Sequence, residues 1–356
     1  METRTHTSFN GMKRSFEVGL FCPEDADGVA HLFRSVHGED YPIKIFYDPP
    51  KLIRANQEGD YYSIVARSTE GEIIGIHNLF RSAPSRAVYE WGVGLVLKEC
   101  RSMGVSGAVE RFMIGSVVPE LGMHTVFGEP VTIHLQMQKH SENYGFQPTA
   151  LEVGLMPGEA YSGEGVISNR VSTLSSFRVY RNIPQKIFLP VTYNEAIRFM
   201  YGDFSLGRTF AESAEPIPVG TVSEAKLDVF DFARVARISF YETGSDFAER
   251  ISDLEAEAVR KGSIVIQVWL KLTSPWVGKA LKVLQARGFF LGGMLPQWFD
   301  DDGLLVQKLL FIPDFDSIQL YSDRALRIRD LVKADWHQCA EGGWSDRIKD
   351  RTKEGL

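Results

Sequence analysis

Residues Glu90 to Pro119 read EWGVGLVLKECRSMGVSGAVERFMIGSVVP, and this stretch decides the fold. The apolar run from Glu90 to Leu97 predicts a strand. A charged turn follows, Lys98-Glu99-Cys100-Arg101, and then a small-residue segment, Ser102-Met103-Gly104-Val105-Ser106-Gly107. Ala108-Val109-Glu110-Arg111-Phe112-Met113-Ile114 carries helical periodicity, so a helix is expected from about Val105 to Val118. A strand, a small-residue turn and a helix start together make an anion site. The first N–H groups of a helix have no partner within it, and the helix dipole favours negative charge beside them.

The chain around this stretch bounds its role. At 356 residues it exceeds one typical core, which predicts two domains. With 44% hydrophobic and 24% charged residues, it has the composition of an ordinary soluble globular protein. A net charge of −7 argues against a nucleic-acid partner. No apolar run reaches membrane-spanning length and Met1 to Arg14 is polar, so no membrane partner is expected. Cys22, Cys100 and Cys339 lie far apart without metal-ligand spacing, which predicts a reducing, cytoplasmic setting and no metal. Gly92-x-Gly94-x-x-Leu97 lacks the third glycine of a dinucleotide fingerprint and lies inside the strand, so it is set aside.

In chain order, Phe16 to Phe21 alternates as a strand, and Pro23 to about Val36 and Lys51 to Glu58 read as helices. Tyr61–Arg67 and Glu72–Phe80 form a hairpin across Thr69-Glu70-Gly71. The opening stretch follows, then a strand from Val126 to Ile133, a helix from His134 to Asn143 and a strand from Thr149 to Met156. Residues 157–189 read as a linker with a crossing strand. The second half is again α/β: strands Arg234–Phe240, Ile264–Leu270, Phe289–Leu295 and Leu304–Phe311, with helices Asp246–Lys261, Ser274–Arg287 and Ser322–Gln338.

The order β-α-α-β-β-β-α-β-α-β over residues 16–156, with Arg101-Ser102-Met103-Gly104-Val105-Ser106, resembles the GNAT superfamily of acyl-CoA-dependent N-acyltransferases. That family carries Q/R-x-x-G-x-G/A between its fourth strand and third helix; here Ser106 takes the final position. Gly145-Phe146 matches the end of the family's Y-x-x-x-G-F element, with Ser141 at the tyrosine's place and Tyr144 one residue before the glycine. Gly288-Phe289 gives a weaker echo in residues 219–311. The resemblance implies an α/β (α+β) fold with two GNAT-like domains, each a mixed, mostly antiparallel sheet flanked by helices. The expected divisions are a tail at 1–14, an acyl-CoA-binding domain at 15–160, a linker and crossing segment at 161–215, a degenerate second domain at 216–340 and a tail at 341–356.

It further implies direct transfer of an acyl group, acetyl above all, from acetyl-CoA or another acyl-CoA to a small-molecule or peptide amine in a ternary complex. Arg101 and the backbone of Ser102, Met103, Gly104, Val105, Ser106 and Gly107 would hold the pyrophosphate. Leu95, Val96 and Leu97 would hold the pantetheine arm. Glu90 stands where a general base acts through water, and Tyr144 or Ser141 would be the acid. His134 and Gln138, four apart, share a helix face toward an acceptor; His77 reads as structural and Cys100 as inert. The alternative is a catalytically degenerate CoA-binding protein with a regulatory or assembly role. A homodimer is compatible with either.

Overall fold

In the computed structural model, residues 15–164, 170–202 and 204–339 are described. Its contacts divide the chain into two units, Met1–Val126 and Phe127–Leu356, a division ahead of the boundary drawn near 160 from the sequence.

The first unit is built on an antiparallel meander, β1 (Phe16–Leu20), β2 (Tyr61–Ser68), β3 (Ile73–Phe80) and β4 (Val88–Val96), paired in that order. Helix α1 (Ala26–His37) buries Val29, Leu32 and Phe33 at helical spacing. Helix α2 (Pro49–Gln57) starts where Asp48 accepts the Lys51 N–H (3.2 Å) and Pro49 needs no partner for its missing one. Helix α3 (Val105–Phe112) buries Val105, Ala108, Val109 and Phe112. It widens into a π turn (Met113–Val117) and ends as the short α4 (Val118–Glu120). The single helix expected to Val118 is thus interrupted just before Pro119, which has no N–H for a regular ladder. Strand β5 (Thr125–Gly128) closes this unit and opens the next. It stops well short of Ile133 because Pro130 cannot donate to a ladder.

The second unit contains α5 (Gln136–Asn143), β6 (Gln147–Pro157), β7 (Arg170–Val179), β8 (Gln185–Leu189), α6 (Asn194–Tyr201), β9 (Arg208–Glu212), β10 (Glu224–Phe230), β11 (Val235–Glu242), α7 (Phe247–Arg260), β12 (Val265–Lys271), α8 (Val277–Ala286), β13 (Phe290–Leu295), β14 (Gly303–Leu309) and α9 (Asp323–Cys339). Its strands run in the order β7-β6-β13-β14-β12-β11-β10, with β11 and β12 parallel and the other pairs antiparallel. β8 and β9 form a separate parallel pair. The protein is therefore α+β, with a mixed and mostly antiparallel sheet. The succession strand, helix, strand, helix, hairpin occurs twice along the chain, as β4-α3-β5-α5-β6-β7 and as β11-α7-β12-α8-β13-β14.

Within the stretch 161–215, read from the sequence as a linker and crossing segment, lie β7, β8, α6 and β9. The crossing strand, β7, is polar along its buried part. Ser172, Thr173, Ser175 and Ser176 are buried there, and three of the hydroxyls are bonded inside: Ser175 donates to Glu152 Oε1 (2.7 Å), Ser176 to the Leu174 carbonyl (3.3 Å), and Ser172 accepts from the Gly154 N–H (2.9 Å). A second buried polar knot joins distant segments. Asp302 takes both sides of the Arg208 guanidinium (2.7 Å each), the Tyr201 hydroxyl (2.6 Å) and the Gln297 N–H (2.9 Å). Among the described residues no helix is long and apolar enough to cross a membrane. The tails expected at 1–14 and 341–356 lie outside the described residues.

Candidate functional site

The site forms where β4 loses its regular pairing. Ile76 faces Leu95 and Asn78 faces Gly92, so β4 carries one more residue than β3 between these pairs. This is a β-bulge at Val93 and Gly94. Val93 sits at φ +52°, an unusual value for a β-branched residue. A buried amide ladder holds it there. Asn78 donates from Nδ2 to the Val93 carbonyl (3.0 Å), Ser63 donates its hydroxyl to Asn78 Oδ1 (2.7 Å), and Asn56 accepts the Ser63 N–H (2.9 Å).

The bulge gives His77 its place. A Cβ on Gly94 would stand 2.3 Å from the His77 ring, so only glycine leaves room for the imidazole. Gly94→Ala is expected to lower stability by about 1–3 kcal/mol through overpacking. Urea unfolding at constant m-value reads this; an unchanged midpoint would mean that the ring swings aside at no cost.

Beyond Leu97 the chain makes a tight turn, Lys98–Cys100. Ser102 (φ +67°) and Gly104 (φ +79°, ψ +11°) then both adopt the left-handed conformation, and Gly104 caps α3. Alternating handedness of this kind turns successive N–H groups toward one point. Among the described residues, none accepts from the N–H groups of Gly104, Val105, Ser106 or Gly107, and no side chain caps the helix. Arg101, Ser102 and Gly104 are exposed, so these donors lie at a surface open to solvent, and Arg101 Nε donates to the Val96 carbonyl (3.5 Å). The arrangement suits a phosphate or diphosphate.

Under the loop lies a polar cluster that the sequence reading passed over. Ser106 donates its hydroxyl to Glu110 Oε1 (2.9 Å), one turn on along α3. His77 Nε2 lies 3.2 Å from Ser106 Oγ and 3.4 Å from Glu110 Oε1. The Trp91 indole donates to His77 Nδ1 (3.1 Å). Glu110 is fully buried, and burial pushes its carboxyl up to about 7, against the opposing pull of the Ser106 hydroxyl and of Arg111. The available signal was local: Ser106 and Glu110 stand four apart on one face of a helix otherwise buried through apolar side chains. His77 could not be added from sequence, since it comes from another strand.

The structure brings Leu95, Val96, Leu97, Arg101, Ser102, Met103, Gly104, Val105, Ser106 and Gly107 into one strand-loop-helix. Leu95 and Leu97 are buried, and Leu97 gives its N–H to the Ile74 carbonyl (3.0 Å). Glu90 lies nearer the start of β4, in a row with Phe80 and Tyr61 across three strands. The Tyr61 phenol is pushed up to about 12, by burial first and then by the carboxylates of Glu90 and Asp60.

Ser141 and Tyr144 belong to the second unit. Ser141 is 3% exposed and packs inside that unit, which argues against its use as an acid. The Tyr144 ring stacks on His140 at the end of α5 (5.1 Å between centroids). Gln138 donates to the carbonyls of Val131, His134 and Gln319 and accepts the Tyr321 N–H, so it is a structural amide rather than an acceptor-site group.

No protein-family model matches the chain, and no characterised protein matches it by sequence. Over about half its length, the chain is structurally similar to GNAT acetyltransferases. A second part of similar size exists beside it. A putative GNAT-family acetyltransferase from Desulfovibrio desulfuricans is 13% identical, with 46% of this chain and 99% of that chain covered and a TM-score of 0.36. An N-acetyltransferase from Staphylococcus aureus Mu50 gives 11%, 47%, 99% and 0.38 for the same measures. A ribosomal-protein-S5-alanine acetyltransferase from Vibrio fischeri gives 14%, 49%, 96% and 0.37.

Proposed function

We propose that this protein binds acyl-CoA at the loop Arg101–Gly107 and transfers the acyl group, acetyl above all, to an amine. The observation that carries the reading is the row of four N–H groups at the start of α3 with no acceptor, following a strained bulge in β4. Strain of this kind persists only where the surroundings hold it and gathers at functional sites. Arg101, three residues ahead of Gly104, is assigned a guanidinium contact to the same phosphate. Leu95, Val96 and Leu97 lead into it and are assigned to the pantetheine arm. Glu90 is assigned the base that takes the amine proton through water.

One acyl-CoA per chain is expected. Ahead of α7 the chain is tied to its own neighbours: Gly244 N–H donates to Ser223 Oγ (2.9 Å), Ser245 N–H to the Thr221 carbonyl (3.0 Å), and Phe247 N–H, the first of the helix, to the Gly244 carbonyl (3.0 Å). This supports a second half kept for its fold rather than for a ligand.

Glu90→Gln is expected to leave CoA affinity unchanged and to lower the acyl-transfer rate by about 10²–10⁴, the usual worth of general acid–base catalysis. Free-thiol release over a panel of amines reads it, and an unaltered rate would remove Glu90 from the chemistry. The same assay separates the second reading, CoA binding without transfer. The burial of Ser141 at the family's tyrosine position favours that reading. It predicts CoA-dependent thermal stabilisation with no thiol released by any amine.

A further inference from the structure

Ser106 joins the loop to the buried cluster beneath it. Its N–H is one of the four open donors, and its hydroxyl is held by Glu110. The state of that cluster follows from donor chemistry. An indole N–H can only donate, so His77 Nδ1 must be the acceptor and the ring proton sits on Nε2, toward Ser106 and Glu110. An imidazolium would set N–H against N–H at Trp91. The proton that can come and go is therefore on Glu110.

Resting on the acyl-CoA reading, we propose that Glu110 and His77 are positioning residues for the CoA pyrophosphate, acting through Ser106, and that its binding draws one proton from solvent onto Glu110. Negative charge arriving beside the Ser106 N–H disfavours a carboxylate one turn below it and favours the neutral acid. The proton adds to a carboxylate oxygen, and no bond in the ligand changes. The groups facing Glu110 agree with this. Arg111 is its neighbour on α3, His77 comes from β3, and Trp91 from β4 carries no charge. On the β1 and β2 side, Arg67 is closed on Asp25 at 2.6 Å. Burial already holds the Glu110 carboxyl near neutrality, at about 7, so above that pH there is a proton to be gained. By linkage, affinity for CoA falls as pH rises past this point.

Calorimetric titration of the full chain with free CoA at pH 7.5, in two buffers of different ionisation enthalpy, counts the protons. At this pH a carboxyl near 7 is about three-quarters ionised, so the wild type is expected to take up roughly 0.4–0.8 proton more than Glu110→Gln, the ionisation of CoA itself being common to both. Equal counts in two chains that both bind would overturn the proposal and leave the acyl-CoA reading standing. A wild type that binds no CoA removes both. Should Glu110→Gln not fold, Ser106→Ala keeps the backbone donor and deletes the hydroxyl. It is expected to bind CoA about 3- to 10-fold more weakly, the worth of one hydrogen bond, with a smaller proton uptake. Wild-type affinity together with wild-type uptake in that variant would overturn the proposal.

Discussion

Gly104→Val is expected to abolish the thermal stabilisation that the proposed CoA site predicts for the wild type. Gly104 caps α3 at φ +79°, where a β-branched side chain is disfavoured. Forcing the variant there costs about 1–2 kcal/mol, and escaping it turns the N–H groups of Val105 and Ser106 away from their common point. Either way the donors lose their geometry. A ligand at 100 times its dissociation constant stabilises the wild type by about 2.7 kcal/mol. That corresponds to a rise in melting temperature of roughly 4 °C for a chain of 356 residues. The variant is expected to remain folded by circular dichroism and to show no such rise. A retained shift would put the CoA site elsewhere on the chain.

Asp302→Ala is the substitution expected to destabilise the second unit most. Asp302 is fully buried and holds Arg208 on both oxygens, with Tyr201 and the Gln297 N–H on the same carboxylate. Deleting it strands a guanidinium inside the protein, along with a buried phenol that has lost its acceptor. Breaking a buried pair from one side costs about 3–5 kcal/mol, because the remaining charge stays desolvated and unmatched. Melting should fall by roughly 6–20 °C. Asp302→Asn, which keeps an acceptor for Tyr201, should recover part of the loss. A loss below about 1 kcal/mol for the alanine variant would show that water reaches Arg208 and solvates it.

Several elements could be read directly from the chain. The hairpin β2–β3 follows from Thr69-Glu70-Gly71 between two β-rich runs, and β12 and α7 from unbroken apolar and amphipathic periods. The strand-loop-helix at Glu90–Pro119 belongs with them. Its backbone donors depend on a glycine and small residues at fixed local spacing, and such spacing is visible in one dimension.

Other features required the fold. β7 was read only as a crossing strand, because its buried serines and threonines find Glu152 and Gly154 as partners only once the neighbouring strand is in place. Arg208 and Asp302 are 94 residues apart in sequence and meet only in the folded unit. The anion site divides in the same way. Its loop was legible, including the departure at Ser106, where a hydroxyl stands in place of Gly or Ala. The reason for that hydroxyl was not legible, because the groups that hold it include His77 from another strand, placed by a bulge and a missing Cβ at Gly94. Local sequence thus determined where backbone N–H groups are left open. Tertiary packing alone decided which buried charge lies beneath them, since burial and long-range partners have no period in the sequence.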